Sequence, residues 1–213
     1  MGVTRVEVKT IAVGPLATNC YILTEGERCI VIDPGDDGER ILSVFKGGDE
    51  TGKTTLQAIL LTHAHFDHTM AAGYLQEKTG ALVFVGRSDQ SMLRDPGWME
   101  QLMPASSEAP SDVRTLSEGD QVTLGGTVLA VWETPGHSPG SLTFIASDVP
   151  ASAFCGDLIF REGVGRTDLP GGDPDRLFES VDRVLGLPPR TVIYPGHGPS
   201  TTVIHEKSAN PFL

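Results

Sequence analysis

Apolar residues recur in short runs separated by Gly, Pro, Asn and Asp, and the spacing within each run predicts the elements. Residues 3–13, 20–24 and 29–32 are β-rich, with Glu25-Gly26-Glu27 as the turn between the last two. Asp33-Pro34-Gly35-Asp36-Asp37 then leads into a helix over 38–45, where Ile41, Leu42 and Phe45 share one face. The apolar run 56–61 reads as a strand, 69–79 as a helix and 81–85 as a strand. Ala71, Ala72 and Gly73 are small enough to let that helix approach a sheet closely. The second half starts rich in strands again, at 120–124, 127–133, 142–146 and 151–155, with Gly125-Gly126 as a hairpin turn. A loop over 161–173, a helix over 175–185, a strand over 191–194 and a short helix over 201–208 complete it. Two halves, each of strands followed by helices, predict an α/β (α+β) fold of two stacked sheets with helices outside.

Two stretches break the pattern. Residues 95–104 carry two prolines and run into a serine-rich tail over 105–111, which predicts an irregular excursion, yet Trp98, Met99, Leu102 and Met103 are too apolar for a free linker. The run Gly47-Gly48-Asp49-Glu50-Thr51-Gly52-Lys53-Thr54 fits G-x-x-x-x-G-K-[ST], whose amides cradle phosphates when a strand precedes and a helix follows. Here a helix precedes and a strand follows. The run is expected to be a polar surface turn with no nucleotide.

Composition narrows the function classes. At 213 residues the chain is read as one domain with a sizeable core. Sixteen Lys and Arg against 28 Asp and Glu give a formal charge of −12, which excludes general attraction to phosphate backbones and argues against nucleic-acid partners. Cys20, Cys29 and Cys155 show no metal-binding or redox spacing, so free buried thiols in a reducing, cytoplasmic setting are expected. No signal peptide and no apolar run of the roughly 18 residues of a membrane span are visible. Met1-Gly2 lacks the Ser or Thr at position six that myristoylation needs, since Val6 stands there. The expected partner is a small molecule.

Chemistry concentrates after the run 56–61, in Thr62-His63-Ala64-His65-Phe66-Asp67-His68. In an extended segment, residues two apart point the same way, so His63 and His65 converge on one cation from one side. Asp67 and His68 fall where the chain turns into a helix, which aims them at a second cation. His137 in Thr134-Pro135-Gly136-His137 and His197 in Tyr194-Pro195-Gly196-His197 each follow a strand, on a Pro/Gly turn. That is how loops at one edge of a sheet present ligands. Asp157, after Cys155-Gly156, could bridge two ions; alone it would be an ordinary turn residue. His205 matches no ligand position and is expected on the surface of the last helix. Imidazole and carboxylate without thiolate suit zinc first, and also iron or manganese.

The set His63-x-His65-x-Asp67-His68, then His137, Asp157 and His197, resembles the metallo-β-lactamase superfamily over nearly the whole chain. Within it, Gly14-Pro15-Leu16-Ala17-Thr18-Asn19-Cys20-Tyr21, Gly163-Val164-Gly165-Arg166 and the ending Asn210-Pro211-Phe212-Leu213 look like the short glyoxalase II-like hydrolases. The resemblance implies a four-layer αββα sandwich with the site where loops of both halves meet. It implies two divalent metal ions, one held by His63, His65 and His137, the other by Asp67, His68 and His197, with Asp157 bridging. Asp33 resembles the early aspartate that supports the metal ligands, though a turn or helix-capping aspartate reads the same way. The implied reaction is hydrolysis of a thioester, as in hydroxyacylglutathione hydrolases, by a metal-bridging hydroxide that Asp67 helps to orient.

Substrate choice departs from glyoxalase II. The segment there that matches Gly163 to Asp168 grips glutathione through a lysine and a tyrosine; here Arg166 takes the lysine's role in binding substrate, while Asp168 replaces the tyrosine and repels carboxylates. The reading as a single domain, residues 1–213, also leaves out the helical C-terminal domain that completes the glutathione site. The rival readings are a persulfide dioxygenase with one iron at His63, His137 and Asp157, a lactonase or other ester hydrolase, and a non-catalytic binding protein.

Overall fold

The computed structural model describes residues 6–47, 53–95, 97–102, 109–147 and 151–213. Its first sheet contains β1 (Glu7–Val13), β2 (Thr18–Glu25), β3 (Arg28–Ile32), β4 (Thr55–Leu60), β5 (Leu82–Gly86) and β6 (Val113–Leu116), side by side in that order. β1 to β3 are antiparallel and β3 to β6 parallel. Between β3 and β4 lies α1 (Gly38–Gly47); between β4 and β5 lie α2 (Phe66–Thr69) and α3 (Ala72–Thr79).

The second sheet is built from β7 (Gln121–Leu124), β8 (Thr127–Glu133), β9 (Leu142–Ala146), β10 (Ser152–Gly156), β13 (Val192–Pro195) and β14 (Thr201–Thr202). Its order is β14-β13-β10-β9-β8-β7, with β10 parallel to β13 and the other neighbours antiparallel. A small hairpin of β11 (Ile159–Phe160) and β12 (Gly163–Val164) follows β10. The helices of this half are α4 (Pro174–Leu185) and α5 (Val203–Ala209).

Side-chain alternation stacks the layers. Tyr21, Leu23, Ile30, Ile32 and Leu60 face Leu129, Val131, Phe144 and Phe154 of the other sheet. Their neighbours Ile22, Val31 and Ile59 point the other way, onto Ile41 and Phe45 of α1 and Leu75 of α3. On the far side Cys155 and Ile193 pack on Leu177, Val181 and Val184 of α4 and Val203 of α5. Strands covered on both faces read as unbroken apolar runs, which is why β2, β3 and β4 stand out in the sequence. α4 starts where Pro174 takes its first position and Asp173 accepts from the Arg176 amide at 3.1 Å. The result is the expected αββα sandwich.

Several boundaries differ from the expectation. The helix expected over 69–79 is two helices, because the ligand-bearing turn α2 starts at Phe66 and the chain reorients at Met70-Ala71 before α3. The loop over 161–173 opens with strand β12, and the helix over 201–208 opens with strand β14. The excursion contains a 3-10 helix, Gly97–Leu102, in which Met99 is buried; residues 103–108 lie outside the described ones, as do 1–5 of the first strand and the Met1-Gly2 end. Residues 48–52 of the G-x-x-x-x-G-K-[ST] run are likewise outside; its flanks are α1 and β4, helix before strand, as read.

Candidate metal centre

Loops from both sheets meet at one edge, beyond the carboxyl ends of β3, β4, β10 and β13, where open parallel strands place their ligands. β4 runs into Leu61 and Thr62, and the Thr62 amide and hydroxyl each donate to Asp33 after β3, both at 2.7 Å. The Thr62 carbonyl accepts from the Leu142 amide of β9 at 2.7 Å, which ties the first ligand loop to the second sheet. His63 and His65 follow, then Asp67 and His68 on α2. His137 sits in the turn between β8 and β9, Asp157 just after β10 and His197 just after β13.

Close backbone approach explains the glycines beside these ligands. A Cβ on Gly196 would lie 2.1 Å from Asp157 Oδ1 and 2.6 Å from the His68 ring. One on Gly156 would lie 2.2 Å from Thr62 Oγ1, and Gly156 also has a left-handed φ of +51°.

The seven residues expected as ligands come together. Three groups each have ligand atoms within 4.8 Å of one another: His63, His65 and His137; His63, His68 and Asp157; Asp67, His68 and His197. Shared His63 and His68 make them one continuous cluster. Asp157 faces both ends, with His68 Nε2 at 3.4 Å and the Nε2 atoms of His137 and His197 each at 3.7 Å. Asp67 Oδ2 lies 3.2 Å from His197 Nε2 and accepts from the Thr18 hydroxyl at 3.1 Å.

Cations fit this donor set. His63 Nε2, His68 Nε2 and Asp157 Oδ1 are buried and have no hydrogen-bond partner among the described residues. Such orphans cost about 1–3 kcal/mol each, which a positive ion coordinated by their lone pairs would offset. Burial, reinforced by neighbouring imidazoles, pushes the His63 pKa far down and that of His65 down to about 4, so both are neutral at pH 7. Burial opposes ionisation of Asp67 and Asp157. On Asp67, the His197 hydrogen bond and the His68 charge outweigh it; on Asp157, His68 does, and both carboxyls are held low. His68 is driven up against its burial by Asp157 and Asp33; His197 is driven up by its hydrogen bond to Asp67.

The outward ring nitrogens are held. His63 Nδ1 meets Thr62 Oγ1 at 3.0 Å, His68 Nδ1 meets Asp33 Oδ2 at 3.0 Å, His137 Nδ1 meets the Arg166 carbonyl at 2.8 Å and His197 Nδ1 meets the Leu16 carbonyl at 3.2 Å. Each of these contacts turns the other nitrogen inward. The Arg166 side chain points elsewhere, clamped on Asp168 by two hydrogen bonds of 2.7 and 2.6 Å, with both residues well exposed. Asp168 is therefore the partner of Arg166, an exposed ion pair. His205, half-buried rather than fully exposed, meets Glu162 at 2.9 Å, away from the cluster.

Two residues at the site went unread in the sequence. Asp89, fully buried in the 3-10 helix Arg87–Leu93, accepts from the Ala64 amide, the Ser138 hydroxyl and the Gly140 amide at 3.1, 2.6 and 2.6 Å. It joins the His63–His65 segment to the His137 turn; burial pushes its pKa up against those bonds. A lone aspartate after a strand carries no sequence signal for this. Asn19 donates to the Pro195 and Gly198 carbonyls at 3.0 and 2.7 Å and so brackets His197. Its signal was a polar amide inside the apolar β2, within a stretch already noted for resemblance alone.

The sequence profile of the metallo-beta-lactamase superfamily matches residues 13–197. The chain belongs to that superfamily. Among metallo-β-lactamase relatives, the probable metallo-hydrolase YqgX of Bacillus subtilis is 39% identical over 210 residues, 96% of each chain. The hydroxyacylglutathione hydrolase GloC of Haemophilus influenzae is 32% identical over 212 residues, 97% of each. Of solved structures, TTHA1623 in a di-iron-bound form is 41% identical with a TM-score of 0.85 over 96% of this chain and all of that one. The B3 metallo-beta-lactamase BLEG-1 is 35% identical with a TM-score of 0.86, covering 97% and 99%. ETHE1 from Myxococcus xanthus is 29% identical with a TM-score of 0.77, covering 96% and 83%. This metallo-β-lactamase fold thus carries a metal-binding His/Asp cluster of a metallo-hydrolase.

Proposed function

We propose that the protein hydrolyses thioesters, hydroxyacylglutathione-type substrates among them, with two divalent cations of which zinc is the first choice and iron or manganese the others. The observation that carries this reading is the cluster itself: two complete trios, His63, His65, His137 and Asp67, His68, His197, with Asp157 facing both. The GloC relative, matched over nearly its full length, supports the thioester class. Bound cations supply a water whose pKa falls from 15.7 toward roughly 7 and a Lewis acid for the acyl oxygen.

The chain's own residues do the rest. Outer partners of four histidines fix which nitrogen faces inward, so the site is arranged before substrate arrives. Asp67, held by Thr18 and kept ionised by His197 and His68, is the proposed catalytic carboxylate that orients the attacking water. A thiolate nucleophile has no support, because burial pushes the Cys155 thiol up to about 12. The free, buried Cys20, Cys29 and Cys155 suit a reducing, cytoplasmic setting. No described helix is long and apolar enough to cross a membrane. Arg166 remains the proposed contact for an anionic thiol moiety: its two bonds to Asp168 leave about three N–H donors for a ligand.

The dioxygenase reading uses His63, His137 and Asp157 and gives the buried His68 Nε2 no cation to coordinate. Metal analysis of protein purified without added metal, combined with thioester assays, separates the two. Two ions per chain with thioester turnover is expected. One iron per chain, with sulfite formed from glutathione persulfide, would replace this reading by the other. His65→Ala and Asp157→Ala should lose metal and turnover together, and full activity in a metal-free His65→Ala protein would sink the proposal.

A further inference from the structure

Beside the cluster lies a cavity of about 210 Å³ between the turn joining β1 to β2, the loop after β3 and the start of α2. Val13, Pro15, Leu16, Phe66 and Met70 form its apolar walls. Among the described residues its lining includes the acids Asp36 and Asp67 and neither Lys nor Arg. Two of the walls are bound to the centre directly. Leu16 offers its carbonyl to His197 Nδ1 at 3.2 Å while the residue is 54% exposed, and Asp67, with its Thr18 partner, lines the side next to the cluster. What sets this hollow apart is its place: apolar walls converge beside a proposed ligand, Asp67, as walls of small-molecule sites do.

We infer that this cavity is the acyl-chain site, and that the preferred substrates are thioesters of uncharged aliphatic or aromatic acyl groups. The inference rests on the thioesterase reading above. Size, charge and position select this occupant. A dry cavity of ~150 Å³ already admits benzene, so this one takes a phenyl ring or a short alkyl chain and is too small for a whole glutathione conjugate. The two acids and absent cations disfavour the carboxylates of glutathione. Arg166, the proposed contact for such groups, belongs to the opposite end of the cluster, where its carbonyl meets His137. The acyl carbon then sits between the cavity and the Arg166 end. In the reaction water's oxygen bonds to that carbon, the C–S bond breaks, and its electron pair leaves with sulfur. The protons of water go to the thiolate and to solvent.

The test uses the metal-loaded full chain and glutathione thioesters from acetyl to hexanoyl. Each methylene buried should raise kcat/KM about fourfold, and Leu16→Asp, at an exposed position, should flatten the rise to less than about twofold. Independently of turnover, 1-hexanol should shift the Met70 methyl resonance of [13C]methyl-labelled protein saturably, and at least fivefold more weakly in Leu16→Asp. Thioester turnover without dependence on chain length, a dependence that Leu16→Asp leaves intact, or a Met70 resonance that 1-hexanol does not move overturns the cavity assignment while the thioesterase reading stands. If no thioester is turned over but 1-hexanol binds as described, the thioesterase reading fails and the apolar site stands.

Discussion

Asp33 holds a left-handed backbone, φ +51°, uncommon outside glycine though Asp and Asn adopt it more readily than most, and it is fully buried. Its two oxygens take the Thr62 amide, the Thr62 hydroxyl and His68 Nδ1, so one carboxylate sets both the end of β4 and the direction of a proposed ligand. Asp33→Ala would leave the Thr62 amide and His68 Nδ1 buried without partners, a loss of about 2–6 kcal/mol at 1–3 each. Metal affinity should fall 10- to 100-fold in Asp33→Ala, and also in Asp33→Asn, which tolerates the backbone better and so keeps more stability. Denaturant titration and metal competition measure the two effects. Wild-type affinity in both variants would reduce Asp33 to a turn residue, the reading that sequence alone left open. Gly196→Ala tests the same centre from the other side, since its Cβ must displace Asp157 or His68. Metal content should collapse there, whereas Gly198→Ala, at φ +74° with open space around it, should cost only about 1–2 kcal/mol and keep its metal.

Strands, more than helices, carry the site, and that decides what the sequence could reveal. β8 was readable to the residue because a Gly-Gly turn precedes it and buried positions alternate along it, and β9 because its short apolar run follows Pro139-Gly140. β6 was missed because Val113 and Leu116 are buried while Arg114 and Thr115 are not, a pattern too short to show a period. The five histidines among the proposed ligands stood out in the sequence, since histidines on strand-end turns need no packing information to be noticed, whereas Asp67 and Asp157 drew their proposed roles from those neighbours and from the resemblance. Asp89 and Asn19 were not legible, because their roles exist only when loops distant in the chain meet. Asn19 is the sharper case: from inside β2 it clamps the carbonyls on both sides of the Gly196-His197 pair. Asn19→Ala removes two hydrogen bonds worth about 1 kcal/mol each. It should lower stability by about 2 kcal/mol and weaken, about tenfold, the cation assigned to Asp67, His68 and His197. The cation assigned to His63, His65 and His137 should stay. A metal titration that shows both steps weakened equally, or neither, would contradict this division of labour.

The two halves of the sandwich contribute unequally to what joins them. His63, His65, Asp67 and His68 come from the first sheet's loops; His137, Asp157 and His197 come from the second. The apolar layer between the sheets, with Leu60 against Phe144 and Phe154, is complete without any ion. Chelation should therefore leave the fold intact and remove only what the ions add at the edge. For each ion at about 1,000 times its dissociation constant that addition is roughly 4 kcal/mol, or about 8 kcal/mol for the two. In a domain of this size 1 kcal/mol moves the melting temperature by about 2–4 °C, so the protein stripped of both ions should melt roughly 16–32 °C lower. The loss should appear as one cooperative transition at the lower temperature, because the ligands span both sheets and the shared core couples them. Calorimetry before and after chelation, with near-ultraviolet circular dichroism to follow the packing of Tyr21, Phe154 and Tyr194, checks both points. Two separated transitions after chelation would mean that the ions, not the apolar layer, hold the halves together. An unchanged melting temperature would mean that the buried orphan nitrogens of His63 and His68 are not what the ions satisfy.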